Sequence, residues 1–510
     1  MTASQTRIIT KLLERRQIEA DLRDMMEASS ELEFRRQAQK IASAGPQVLP
    51  AIVGNLDRAD ARMLTAMGVV ATYLEPREAI SALRHAVLRS ELSDQGRIGA
   101  MTILERFLDQ PPDDELLGSL NDPEGVAVSS LEEMVSEAKK NPSVLVEYVQ
   151  GMDRQEPDVV LAVVDALREM GEPSAQTAER LAVIEPLRLM AQDVREEIAA
   201  AALAALGTIR LPEAARALQT LIPAMSPDLR PQAERLLRKL QFSGVSVKAL
   251  PSPGPASRAL VGPPSALGQQ SIWFIAGQTG RADVRFLNLL LHDRAGAVEA
   301  VGYPQVLMAM LPPKRPLGHL HDVALPDGSD SFLMLEASFD LGRRLVLEAL
   351  AENRRTQIPV AGPLRLLSPW LWGVGGTDAL PARSLPPLED GEQLAVESAR
   401  LLEHPAFAGW TLRSEAIIRA AEEFSRHPGW ESDVRIRQLA GELFSTSEIA
   451  EVFSRRLTAM SEWLLLAGDE PAAKLALAAA RGMVDSPMQQ PLVLALVRRD
   501  LELMLHSLSR

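Results

Sequence analysis

Three features of the sequence predict a mostly α-helical protein, with an α-solenoid of stacked helix pairs over the first half, a small α+β module after it and a C-terminal helical region. Apolar residues recur every three to four positions through residues 45–240, the spacing that gathers them on one helix face. Gly and Pro punctuate those stretches at intervals that leave room only for short turns. Aromatic residues make up 4% of the chain while Ala and Leu abound, a bias that suits close-packed helices better than sheets.

The pattern is clearest from Asp193 to Leu240. Val194, Ile198, Ala202 and Leu206 form one apolar stripe, with Asp193 expected as the N-cap, Glu196 three residues on as its capping-box partner, and Gly207 as a left-handed stop. Pro212 then stands in the first turn of a second helix carrying Ala214, Leu218 and Leu221. Ser226 and Pro227 open a third, striped by Leu229, Ala233, Leu236, Leu237 and Leu240. Earlier stretches repeat the grammar: Met63, Met67, Val70 and Leu74 lead through Pro76 to Ile80, Leu83 and Val87, and Val160, Val163, Val164, Leu167 and Met170 lead to Gly171 and Pro173. Pro173 and Pro212 stand about 40 residues apart, a length typical of a two-helix repeat. A single pair cannot shelter its own stripe, so the pairs are expected to stack on each other.

The stretch DVREEIAAAALAALGTIRLPEAARALQTLI, from Asp193 to Ile222, resembles the HEAT-like repeats shared by many bacterial scaffold and lyase-associated proteins, and the helix pairs of armadillo-type solenoids. The resemblance spans residues 45–240 as a pattern of periodicity and turns. It implies a fold and says almost nothing of an activity.

Around this core the chain divides by composition. Residues 1–44, with Ile8, Leu12, Leu22 and Met25 among their apolar positions, read as two amphipathic capping helices. Residues 241–270 carry Pro251, Pro253, Pro255, Pro263 and Pro264 among Gly, Ser and Ala and read as a linker. In the module at 271–388, Ser271–Ala276 and Val284–Leu291 read as strands joined by a hairpin turn at Gly277, Gln278, Thr279, Gly280 and Arg281. A helix from Phe339 to Arg354 follows. Residues 389–510 are helical again, with stretches at Glu392–Glu403, Arg413–Arg426, Ser447–Leu466, Ala472–Met483 and Pro491–Leu508.

Composition narrows the chemistry. The chain has no Cys, which excludes disulfides, thiolate metal sites and Cys nucleophiles. Its net charge is −14, with most of that excess in residues 1–240, so a phosphate-binding face built on clustered Lys and Arg is disfavoured and no nucleic-acid partner is expected. No apolar run reaches the length of a membrane span and the N-terminus lacks a signal-like apolar stretch; the expectation is a cytoplasmic protein without a membrane partner. Iron sites built on His-Glu dipeptides have no counterpart, since His85 is the only His before residue 240 and Ala86 follows it.

Candidate chemistry gathers in the middle module, which holds His292, His319 and His321, three of the seven His residues. His319 and His321 are two apart on an extended segment and so share a side, and Asp322 and His292 are the further candidates to complete a divalent-metal or acid-base set. The competing reading makes them solvated strand-end residues. Gly373, Gly375 and Gly376 follow Trp370 and Trp372 without the Lys and Ser/Thr of a phosphate loop, and read as a tight turn. Trp273, Phe274, Trp410, Trp430 and Trp463 read as core anchors more than hot spots. Arg343 with Arg344 and Arg354 with Arg355 could ring an anionic pocket, though paired Arg on a helix is more often solvated. The functional expectation is a non-catalytic interaction scaffold or adaptor, with a protein partner and no cofactor, and the alternative is an enzyme whose site lies in residues 271–388.

Overall fold

A computed structural model describes residues 16–26, 28, 31–89, 92–121, 131–132, 134–139, 141–254, 256–277, 283–324, 331–375, 380–389, 391–412, 414–424 and 433–508. The expectations for Ile8, Leu12, Pro255, Gly376, Trp430, the ends of the Arg413–Arg426 stretch and turn residues 278–281 lie outside these residues. The chain is mostly helical, 63%, with a six-stranded antiparallel sheet in its middle and a helical C-terminus. It divides into two compact units, Met1–Met134 and Val135–Arg510. That boundary falls inside the stretch read as one solenoid, and no division follows residue 240.

In the first unit the helices Glu31–Ala42, Leu49–Asn55, Ala61–Thr72, Pro76–Val87 and Asp94–Leu108 pack both on next-but-one neighbours and, for the last two, on each other. The first lies on the third, the second on the fourth and the third on the fifth. Met67, Val70, Leu74, Leu83 and Val87, the stripe read from the sequence, are buried together with Leu22 and Met25. Asp60 caps the Ala61–Thr72 helix by accepting from the Met63 N–H, and Ser93 caps Asp94–Leu108 through Gly96, each satisfying an amide that the helix itself leaves unpaired.

The second unit begins with the helices Ser143–Met152, Pro157–Met170, Thr177–Ala182, Ile184–Met190, Glu196–Leu206, Pro212–Leu221 and Arg230–Phe242. Pro212 occupies the expected first turn. The cap reading of the preceding helix needs correction. Arg195 is its N-cap position, and Asp193 instead accepts from the Arg195 N–H and clasps the Arg195 guanidinium at 2.8 and 3.0 Å. Gly207 is right-handed, with φ −68°. Its lack of a side chain serves packing, because a Cβ there would come within 2.4 Å of Leu236 Cδ2 on the Arg230–Phe242 helix.

The sheet carries the order β4-β3-β2-β1-β6-β5, formed by β1 (Arg258–Val261), β2 (Gln269–Ala276), β3 (Asp283–His292), β4 (Gly296–Leu307), β5 (Leu320–Ala324) and β6 (Ser331–Ala337). All neighbours are antiparallel. β2 and β3 match the expected strands, but the segment read as a linker holds β1, an interior strand. Its apolar run Ala259-Leu260-Val261 is buried on both faces, and four residues framed by Pro and Gly were too few to show a period.

One face of the sheet is covered. Ala259, Ile272, Phe274, Leu287, Leu289 and Leu335 join a core shared with the helix Phe339–Thr356, the helix Gly362–Trp372 and the C-terminal helices Ser447–Leu466, Glu470–Asp485 and Pro491–Leu508. The C-terminal region is thus continuous with the module and not a separate bundle. Trp410 and Trp463 are buried and donate their indole N–H to the Pro264 and Val261 carbonyls. The early helices of this unit are tied in by buried Arg: Arg188 donates to the Arg365 and Leu366 carbonyls, and Arg365 pairs with Asp153 at 2.8 Å.

Candidate interaction face and the histidine cluster

Strand register fixes what the second face of the sheet displays. Residues directly opposite in an antiparallel pair share a face, so Tyr303, Phe286, Ile275 and Arg258 form one row across β4, β3, β2 and β1. The next row runs Val301, Asn288, Trp273, Leu260 and Glu336. Trp273 meets Phe286 and Phe332 edge to face, with ring centroids 5.2 and 5.6 Å away. Leu260, Ile275, Val284 and Met334 are buried beneath these rings and beneath Leu311. The chain leaving β4 crosses this face to reach β5 at the opposite edge, and Arg258 anchors the crossing by donating to the Pro312 and Pro313 carbonyls.

The crossing covers only part of the face. Val301 and Tyr303 stay 39% and 52% exposed, and beyond the strand end Met308 and Met310 are exposed as well, Met310 at 76%. β4 is an edge strand. These residues form an apolar patch along it and its continuation, of the kind that marks a contact surface on a soluble protein.

At the far side of the same face lies the histidine cluster. His319 and His321 point the same way, with ring centroids 5.0 Å apart, as their two-residue spacing implies. His321 Nε2 stands 2.8 Å from Glu336 Oε2, and Arg258 donates to that same oxygen at 2.6 Å. Asp322 alternates to the other face, opposite Leu333. His292 ends β3, and β2, β1 and β6 lie between it and β5, roughly 19 Å at the usual strand spacing. The expected set His292, His319, His321 and Asp322 is therefore not brought together, and among the described residues no group of three or more His, Asp or Glu is disposed to hold a metal ion.

Glu336 is the member that sequence reading missed. It sits at the end of the apolar run Phe332-Leu333-Met334-Leu335, where a charged residue reads as a strand end exposed to solvent. Instead it is 1% exposed, and His321 7%. With Arg258 as counter-ion, Glu336 and His321 form a buried ion-pair cluster that fastens β1, β6, β5 and the crossing segment, while His319 beside it is exposed. A buried ion pair costs desolvation that its attraction only partly offsets, so its clearest consequence is a fixed geometry.

His292 and Asp293 belong elsewhere, to a cleft on the covered side of the sheet. Arg343 and Arg344 are buried rather than solvated: Arg343 donates to the Leu371 and Val374 carbonyls, and Arg344 pairs with Glu348 and Glu462. Burial pulls the Arg343 guanidinium below its usual range, against the pull of Asp340. Gly373 ends the Gly362–Trp372 helix by donating to the Pro369 carbonyl. Comparison with protein-family models, with curated proteins and with solved structures finds no match to this chain.

Proposed function

We propose that this chain is a non-catalytic interaction scaffold or adaptor that engages a protein partner. The observation that carries the reading is the exposed apolar set Val301, Tyr303, Met308 and Met310 on the edge strand β4 and its continuation. Such a patch is costly to leave in water and is relieved by a partner presenting apolar side chains. The reading moves the contact from the solenoid to the sheet. Packing of helices in the first unit on both adjacent and next-but-one neighbours is compatible with a HEAT-like reading there. An acidic net charge favours a protein over a nucleic acid as partner. No described helix is long and apolar enough to cross a membrane, and we place the protein in the cytoplasm.

The test is affinity isolation with the tagged full chain beside a Val301→Asp/Tyr303→Asp variant. The reading expects a defined protein retained by the native chain and lost from the variant, with the melting temperature unchanged because both positions are exposed. Retention by both chains, or by neither, would overturn it.

A further inference from the structure

A cleft of ≈ 240 Å³ in the second unit lies between the covered face of the sheet, the Phe339–Thr356 helix and the Ser447–Leu466 helix. Its floor is apolar, with Val261, Leu291, Leu335, Leu345 and Trp463. Its walls are charged, and the charges can be matched pair by pair. Asp293 is clasped by Arg456 at 2.6 and 3.0 Å. Glu348 and Glu462 are bridged by Arg344 and Arg383, at distances from 2.6 to 3.5 Å. Glu352 is held by Arg355, which lies outside the cleft. Every acid of the lining is thus committed.

One cation is left over. Arg455 lines the cleft, is exposed, and has no hydrogen bond or ion pair among the described residues. It acts on Glu352 only through space, and Arg355 holds that carboxyl below the usual range before Arg455 adds to the effect. Arg344 Nε, buried in the same wall, also has no hydrogen-bond partner. Gly268 keeps the opposite wall thin: it is left-handed, with φ +85°, and a Cβ there would meet Asp293 Oδ1 at 2.0 Å and Arg456 at 2.7 Å. An apolar floor beneath a surplus guanidinium is the arrangement that holds an amphipathic anion, since the chain is dehydrated while the headgroup keeps a charge-assisted partner.

We propose that this cleft binds a small amphipathic carboxylate, its chain on the apolar floor and its headgroup on Arg455. At about 20–30 Å³ per non-hydrogen atom the volume admits roughly eight to twelve such atoms. Two sources share this chemistry, a free medium-chain acid and the C-terminus of a peptide ending in an apolar residue.

The experiment is calorimetric titration of the full chain with octanoate at pH 7, with octan-1-ol as the uncharged control. One saturable octanoate site is expected, with octanol at least tenfold weaker. Arg455→Gln, at an exposed position, should weaken octanoate at least tenfold and leave octanol unchanged. Ala459→Phe should fill the cleft and abolish both. N-acetylleucine, which is within the size the cleft admits, tells the sources apart: tighter binding than octanoate points to a peptide terminus and weaker binding to a free acid. Absence of a saturable site in the native chain, or equal octanoate affinity in the native and Arg455→Gln chains, would overturn the proposal.

Discussion

At the scale of single residues the molecule is held by arginines in places where sequence reading expects solvent. Arg365 is fully buried and pairs with Asp153, whose carboxyl is pushed up by burial and pulled back by that same Arg365. Removing one partner strands the other, so Arg365→Ala should cost about 3–5 kcal/mol in a denaturant titration, whereas Arg365→Met with Asp153→Leu should recover most of it. A double variant as unstable as the single one would contradict this account. Tyr148, one of three tyrosines, is pushed up to about 12 by burial. Because the folded value lies above the unfolded one, the folded chain binds the proton more tightly; the stability this gives is full below about pH 10 and is lost as pH rises toward 12. Tyr148→Phe should remove that component, about 2–3 kcal/mol, from the alkaline unfolding curve. An unchanged alkaline limb would show that the phenol is not sheltered.

At the scale of elements, contacts explain both what the sequence discloses and what it hides. Gly207→Ala should destabilise the second unit by about 1–3 kcal/mol through its collision with Leu236, and Leu236→Ala in the same chain should remove the collision at the cost of a small cavity. Thermal unfolding of the four chains of that cycle reads the coupling directly. The helices Ser447–Leu466 and Pro491–Leu508 were legible to the residue, since long apolar periods and proline starts are local signals. β2 and β3 were legible for the same reason. β1 was not, because Arg258–Val261 is four residues long and is placed inside the sheet by pairing with β2 on one side and, on the other, with β6, which is remote in sequence. The candidate site divides likewise. The shared side of His319 and His321 follows from local geometry, while the partnership of His321 with Glu336 and the separation of His292 depend on strand order. The patch on β4 was hidden because Val301 and Tyr303 look like any strand residues until their face and edge are known.

At the scale of the whole molecule the two compact units each enclose a core of their own. Residues 1–134 made alone should therefore unfold in one cooperative transition in calorimetry. A fragment that melts without a transition would contradict this division. In the second unit the sheet, the helices Phe339–Thr356 and Gly362–Trp372 and the C-terminal helices share one core, which gives the exposed β4 residues the rigid support that a docking surface needs. The most direct measurement of the central claim is amide hydrogen exchange of the full chain, free and saturated with the partner recovered by affinity isolation. The account predicts slowed exchange concentrated in residues 296–310, with the helices of 61–108 unaffected. Protection confined to those helices, with 296–310 exchanging as in the free chain, would contradict it.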